Sequence, residues 1–445
     1  MASNTLAESL SLDYEPVVLP GDEKRKRFGQ FVVLGEGGFG KVLRGRNRKV
    51  EELVVALKLL NTKPEAGDQK PTSETDILRE VSAIRRAGAH PNVTALYGYH
   101  RAGVKGNERY HVMVLELCEG GELFSLVEER GAIPEHEVRP LFVGVLAGLR
   151  HLHAQGIAHR DLKLENIMLA YAPDDASTLV PKIGDLGLVH VFERAADGAG
   201  WERKLLTEYR LGTRSYMPPE VMAGAAPYDA FAADAWSLGV CLFALLSGFF
   251  PVAEARSSDF RFYRLREQQQ TRPHESSVGL IFSFYKRTPA SISPALIQLL
   301  NRLLRVEPRA RCTLDLVAAC AWVMTGASAA EVNIGLGALD LNDDDDTEPS
   351  TYRHLGALKD AKDEDDASAG YRSLAGLAAA AEPLPPLPDD AAPPPFCRQP
   401  ASLGRGHDTA GYAGWGSSDA LVNDGEDEDE THGDEDEDET HGDED

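Results

Sequence analysis

The sequence predicts an α+β chain with a small β-rich N-terminal lobe, a larger helical C-terminal lobe and a disordered acidic tail. Three observations carry this. Apolar, β-branched runs broken by glycine fill the first part of the chain, and after Gly121 they give way to apolar residues at helical spacing. The chain has 445 residues, room for two or three domains at roughly 150 residues each. Its charge is uneven: of 71 acidic and 46 basic residues, 32 acidic and only 6 basic lie in 326–445. The body is therefore close to neutral, and a globally basic nucleic-acid binder is excluded.

Taken in order, residues 1–27 are polar, end in the charged run 22–27, and read as a flexible lead-in. Within 28–95, "QFVVLGEGGFGKVLRGRN" and "LVVALKLL" read as strands, and 61–75 as a polar loop. In "ETDILREVSAIRRAG", Ile77, Val81 and Ile84 recur at helical spacing and Gly88 is the stop. "HVMVLELC" is another buried strand. "ELFSLVEER" and "EHEVRPLFVGVLAGLRHLHAQG" are amphipathic helices. Helices then continue to about 323 through "DAWSLGVCLFALLSG" and "SPALIQLLNRLL".

Beyond 325 the composition changes to acidic, Ala-rich and Pro-rich segments, with a terminal repeat at Thr431 and Thr440. Such composition cannot bury enough apolar surface to offset chain entropy, so 326–445 is expected to be disordered. Cys118, Cys241, Cys312, Cys320 and Cys397 form no CxxC pair, which suits reduced thiols in the cytoplasm or nucleus. The longest apolar run, 238–251, contains Ser247 and two glycines and falls short of the ~20 residues of a spanning helix. The opening MASNTLAES has no basic, apolar-cored leader and no Gly at position 2, so neither a secretory signal nor myristoylation is expected.

"LGEGGFGKV" carries glycines at 35, 37, 38 and 40, which let a backbone approach a phosphate without a Cβ between them. Val42 stands where a Walker loop needs Ser or Thr, and a strand follows instead of a helix, so neither a P-loop nor a dinucleotide fingerprint fits. A plain glycine hairpin remains open on this run alone. Lys58, in "VALK", sits on a buried strand, where an ammonium needs a negative partner. Glu80 on the following helix supplies one, and the pair would aim the lysine at ATP phosphates. "HRDLKLEN" then offers Asp161 to accept or orient a hydroxyl proton, and Lys163 to offset charge on a moving phosphoryl group. Asn166 and Asp185 add hard oxygens suited to Mg²⁺ held with substrate phosphates. Phosphoryl transfer needs chiefly such positioning and charge neutralisation.

These strings, in order with "DLG", "GTRSYMPPE" and "DAWSLG", resemble the eukaryotic protein kinase family over about 28–323. The resemblance implies a two-lobe kinase fold, with an N-lobe at 28–117 and a C-lobe at 118–323. It implies ATP under the loop Leu34, Gly35, Gly37, Gly38, Phe39 and Gly40, with Val42, Ala56 and Met168 sandwiching the adenine. Leu115 would be the gatekeeper, Glu116 to Cys118 the hinge, Glu122 a ribose contact, and Asn166 and Asp185 the magnesium ligands. His159, Leu186 and Ile84 would join a hydrophobic stack, and Arg311 would pair with Glu220. Leu186 replaces the usual Phe, Leu164 the usual Pro, and "PPE" the usual APE, with no charged group lost.

Lys163 and Thr213 speak for serine/threonine specificity. "LELCEGGELF" is similar to the calcium/calmodulin-dependent and checkpoint-type group, whereas "GTRSYM" resembles mitogen-activated kinase kinases, so the subgroup stays open. No basic helix with bulky anchors follows the domain, so no calmodulin site is expected. A pseudokinase scaffold would lack Lys58, Asp161 or Asp185, and all are present; "GTRSYMPPE" argues against a small-molecule kinase. Glu122 and Glu165 match positions that face arginines in basic-directed members. Arg160, Arg203 and Arg210 would receive a phosphate on Thr207, or second on Tyr209, placed by an upstream kinase; alternatively Arg160 meets a carboxylate such as Glu208. The expected partners are protein substrates with Ser or Thr and, for the acidic tail, a basic protein; nucleic acid and membrane are not expected. "PLPPLP" reads as a stiff linker or an SH3-type ligand. His432 and His441 lack the spacing of a structured metal site.

Overall fold

The computed structural model describes residues 2–325, apart from 38–39, 51–52, 63–71, 105–106, 196–199, 203–204, 208–211 and 225–226. The expected disordered tail, 326–445, lies outside the described residues, as do the proline run and the terminal histidines.

The chain opens with α1 (Ala2–Asp13) and β1 (Tyr14–Pro16). Then come β2 (Arg27–Phe28), β3 (Phe31–Gly37), β4 (Gly40–Asn47), β5 (Val54–Asn61), α2 (Glu74–Ala87), β6 (Leu96–Val104) and β7 (Asn107–Glu116). The strands form one antiparallel sheet in the order β2-β3-β4-β5-β7-β6, and β1 pairs with the end of β4. The sequence supplies this sheet directly. Val55, Leu57 and Leu59 of β5 alternate onto one buried face with Val112 and Val114 of β7 and Phe31, Val33 and Leu43.

Residues 1–27, expected as a flexible lead-in, are instead part of this lobe. Leu6 and Leu10 are each 1% exposed and join the sheet core with Tyr14. Their i, i+4 spacing makes one apolar stripe, too short to hold an isolated helix but sufficient against a waiting sheet face. The charged run 22–27 is tied in as well. Asp22 is buried, pairs with Arg44 at 2.5 Å and accepts from the Leu19 amide at 2.7 Å.

The second lobe contains α3 (Leu123–Arg130), α4 (Glu135–Ala154), β8 (Ile157–Ala158), β9 (Ile167–Ala172), β10 (Asp175–Ile183), β11 (His190–Val191) and α5 (Pro219–Ala223). It continues with α6 (Ala230–Ser247), α7 (Phe260–Thr271), α8 (Ser277–Phe284), α9 (Pro294–Leu303), α10 (Leu314–Ala318) and α11 (Ala321–Thr325). Local chemistry sets the ends. Asp229, Asp259 and Ser293 accept from the first backbone amides of α6, α7 and α9, Pro294 occupies the first position of α9, and Gly248 stops α6. Helix α6 has the length and apolarity of a membrane span, yet it is the buried centre of this lobe. The helical reading of 122–323 missed the β9–β10 hairpin, a strand–turn–strand run of only 17 residues from Ile167 to Ile183. Cys118, Cys241, Cys312 and Cys320 are free thiols.

If α1 is part of the fold, Leu10→Ala should destabilise the protein by about 2–5 kcal/mol, the usual cost of emptying a leucine site. Urea denaturation measures this; an unchanged midpoint would mean that the helix does not pack in solution.

Candidate active site

Two clusters of charged side chains stand at the junction of sheet and helices. The first centres on Lys58 of β5. Its Nζ donates to Glu80 Oε1 of α2 at 2.6 Å and to Asp185 Oδ1 at 3.2 Å. Burial alone would lower the pKa of this ammonium, but the charges of Asp185 and Glu80 override it and raise it. Lys58 in turn holds the Asp185 carboxyl below its ordinary range. Burial pushes Glu80 the other way, against the pull of Lys58. The 2.6 Å contact makes Glu80 the nearest acceptor of the Lys58 ammonium.

The second cluster is built on the turn that follows β8. Asp161 Oδ1 accepts from the Thr213 amide at 2.8 Å and hydroxyl at 3.0 Å, while Lys163 Nζ donates to the same hydroxyl oxygen at 2.8 Å. Lys163 also lies 3.3 Å from Asp161 Oδ2. Asn166 Nδ2 donates to the Asp161 carbonyl at 2.8 Å and to its carboxylate at 3.2 Å. The β9–β10 register then unites the clusters. Ile167 pairs with Ile183, and the Gly184 amide donates to the Asn166 carbonyl at 2.8 Å, so Asn166 and Asp185 emerge from the same end of one hairpin.

The protein kinase domain model matches residues 28–323. The chain belongs to the protein kinase family. It is 30% identical to the fatty acyl-CoA synthetase and RNA processing-associated kinase 1 of Saccharomyces cerevisiae, over 69% of this chain and 34% of that protein. It is 32% identical to the maternal embryonic leucine zipper kinase of Danio rerio, over 69% and 39% of the two chains. With the CBL-interacting serine/threonine-protein kinase 7 of Arabidopsis thaliana it shares 38% identity over 49% of this chain and 46% of that one. The chain thus spans less than half of the length of each of these relatives.

Within the kinase domain, β3 and β4 form the glycine hairpin. Its backbone is described at Leu34, Gly35, Gly37, Gly40 and Val42; Gly38 and Phe39 lie outside the described residues. Gly40 has φ +150° and a Cβ there would stand 1.9 Å from the Leu59 carbonyl oxygen, so β5 itself demands glycine. Among the described residues, chain neighbours aside, no atom lies within 4 Å of where a Gly35 Cβ would point, so packing does not demand glycine there. Lys41 and Glu36 close the hairpin at 2.5 Å.

Glu116, expected in the hinge, is committed to the fold. Its Oε1 meets the buried Lys182 Nζ at 2.8 Å, its Oε2 accepts from the Ala95 amide at 3.2 Å, and its own amide donates to the Ala95 carbonyl at 2.9 Å. Burial pushes the Cys118 thiol up to about 12, so it is no nucleophile at neutral pH. Ala56 is buried opposite Leu115, Met168 is half-buried and bridges Glu122, and Glu122 precedes α3. Glu165 is the least expected placement: its carboxyl is buried beside the Tyr216 hydroxyl, and burial raises its pKa. Ile84, His159 and Leu186 are all buried, and His159 Nε2 lies 3.2 Å from the Gly184 carbonyl oxygen.

Arg311 and Glu220 pair through two bonds of 2.7 and 3.0 Å, as their motifs imply. Thr207 is exposed, whereas Arg203, Glu208, Tyr209 and Arg210 lie outside the described residues. Sequence reasoning missed two residues. Asp234, 1% exposed, accepts from the amides of His159 at 2.7 Å and Arg160 at 2.8 Å and lies 2.8 Å from His153 Nε2. It holds the loop where Arg160 has φ +66°; its "DAWSLG" string was the available signal. Lys182 was the other, a lysine in an apolar strand that asked for an acidic partner as Lys58 did.

The donors suit a magnesium ion. With Nδ2 bonded to Asp161, the Asn166 amide directs its oxygen away, and the Asp185 side chain is partly exposed. Among the described residues no group of three His, Cys, Asp or Glu could hold a metal by itself. Two hard oxygen ligands are what Mg²⁺ takes when waters and phosphates complete its shell.

Removing one partner of a buried ion pair strands the other charge. Lys182→Met should therefore destabilise the domain by about 3–5 kcal/mol, and adding Glu116→Gln should recover most of the loss. Urea midpoints of the two single variants and the double variant check this; additive losses would contradict the pairing.

Proposed function

We propose that the chain is an ATP-dependent serine/threonine protein kinase that transfers the γ-phosphoryl group of ATP to protein hydroxyls. The observation that carries the reading is the Asp161–Thr213–Lys163 triangle at one end of the β9–β10 hairpin that also presents Asn166 and Asp185. A hydroxyl brought to Asp161 has a carboxylate to orient it and accept its proton, with the Lys163 ammonium beside it. Lys58, oriented by Glu80, lies on the other side of Asp185 and is placed to hold nucleotide phosphates. Asn166 and Asp185 would hold Mg²⁺, which when bound neutralises phosphate charge. The free face of Gly35 suits close approach of a phosphate to the loop backbone. Ala56, Val42 and Met168 would take the adenine, with the backbone of 116–118 reading its edge.

The proposed substrate preference is basic. Glu165 matches a position that faces arginine in basic-directed members, and its buried carboxyl would turn out from beside Tyr216 to meet a substrate guanidinium. Glu122 lies beyond it at the start of α3. An arginine two or three residues before the phosphorylated Ser or Thr is the expected signature. Thr207 is exposed to an activating kinase, and a phosphate there would bring about −1.5 to −2 charge to the loop, for which Arg160 is the proposed receiver.

Radiolabelled ATP with a mixed peptide library tests the reading. Lys58→Met, Asp161→Asn and Asp185→Asn should each cost ~10²-fold or more in turnover with the thermal midpoint nearly kept. Wild-type turnover by Asp185→Asn would remove the metal assignment, and no transfer by any form would favour a scaffold. On a peptide array, proline-directed or acidic preference would contradict the role of Glu165. Thr207→Ala should lower activity if the loop phosphate is used; mass spectrometry of fully active, unmodified enzyme would exclude that switch.

A further inference from the structure

Helix α2 carries Glu80 in its middle turn and Arg86 near its C-terminal end. Arg86 reaches across to the segment beyond β11. Its Nη2 donates to the Phe192 carbonyl at 2.7 Å, and its guanidinium carbon stands 4.1 Å from the centroid of the Trp201 ring. Arg194 stands 4.3 Å from the same ring, and Arg194 and Trp201 form an antiparallel backbone bridge. Both distances lie well inside the reach of a cation–π contact.

Trp201 is itself fixed from a third direction. Its indole N–H donates to the Ala154 carbonyl at the end of α4, at 3.0 Å. The ring lies against Gly156, where a Cβ would come within 2.4 Å of it, and Gly156 has φ +70°. Glycine is thus required twice over, by the turn and by the indole. Trp201 also packs on the cluster of Phe192, Leu206, Met217 and Tyr228. One ring therefore joins α2, the turn leading through β8 to Asp161, and the segment that follows Asp185.

Among the described residues, Arg86 makes no ion pair. Burial and the neighbouring Arg194 cation both lower its pKa, and the ring face and the Phe192 carbonyl are the groups that receive it. One further tether runs nearby, from His151 Nε2 to the Ala87 carbonyl at 2.7 Å.

We propose that Trp201 is a positioning residue that keeps Glu80 on Lys58 by clamping Arg86 of α2 to the end of α4 and to the segment beyond β11. This rests on the kinase reading of the site, and it adds a latch built from side-chain contacts to one ring. Loss of the ring frees the C-terminal end of α2, and the Lys58–Glu80 pair then opens more often.

The test uses the full chain and two readouts. The first is kcat and KM for ATP with a basic peptide. Trp201→Ala and Arg86→Gln should each lower kcat/KM for ATP about tenfold, the scale of a partly desolvated cation–π contact, while Trp201→Phe keeps most of it. In a Glu80→Gln background, Trp201→Ala should cost less than about twofold more, because the pair it serves is already gone. The second readout is hydrogen exchange of the α2 amides, which needs no turnover: Trp201→Ala and Arg86→Gln should speed it, and Trp201→Phe should not. Equal losses with and without Glu80, or unchanged α2 exchange in Arg86→Gln, would overturn the latch. Should the unaltered protein transfer no phosphate, the kinase reading fails while exchange still decides the latch. Should Trp201→Ala fail to fold, Arg86→Gln, which leaves the core cluster whole, carries both measurements.

Discussion

A buried ammonium must be neutralised, and the site is arranged around the way Lys58 meets that demand. Its charge lies between Glu80 at 2.6 Å and Asp185 at 3.2 Å, and those three residues come from a strand, a helix and the segment after β10. None of the three carriers contacts the charge by local sequence logic. The sheet places Lys58, the packing of α2 places Glu80, and the β9–β10 hairpin places Asp185. Any movement of α2 away from the sheet leaves a buried charge underpaired, which is costly in a low-dielectric setting. The position of α2 is therefore coupled electrostatically to the position of Asp185.

The second cluster obeys a different constraint. Arg160 has φ +66° and Asp185 has φ +53°, conformations that ordinary side chains avoid. Asp185 is held by Lys58, and the Arg160 turn by surroundings that over-determine it. Asp234 accepts from two successive loop amides on one side of the turn, and Thr213 and Asn166 bond the Asp161 carboxylate on the other. Asp234 belongs to α6, the most deeply buried helix of the lobe, so the loop inherits the rigidity of the core. Arg311 binds Glu220 and the Ala232 carbonyl, fastening α5 to the same helix.

The N-terminal segment shows how little apolar surface is needed when a partner is preformed. Two leucines and one tyrosine bring α1 and β1 onto the sheet, and one buried pair, Asp22 with Arg44, fixes the connection that follows. The charged run that suggests a solvated lead-in supplies Asp22 for that pair. Composition describes the average of a segment, whereas docking depends on which few side chains face inward.

Much of the site was legible from residue order. The glycine run, Lys58, Glu80, "HRDLKLEN" and Asp185 each announced a chemistry, because charged groups within apolar strings need partners and only a few partners were available. The end of α2 was legible from Gly88, and β3, β4, β5 and β7 from apolar, β-branched runs broken by glycine. The pairing of Lys182 with Glu116, the inward turn of Glu165 toward Tyr216 and the convergence of Arg86 and Arg194 on Trp201 were not. Those contacts join residues far apart in sequence, with no periodicity linking them. They exist only once strand register and helix packing have set distances. Residue type and local spacing thus determined what each group needs, a counter-charge, an acceptor or a turn. The tertiary structure alone decided which distant group supplies it, because burial and direction are properties of the packed chain.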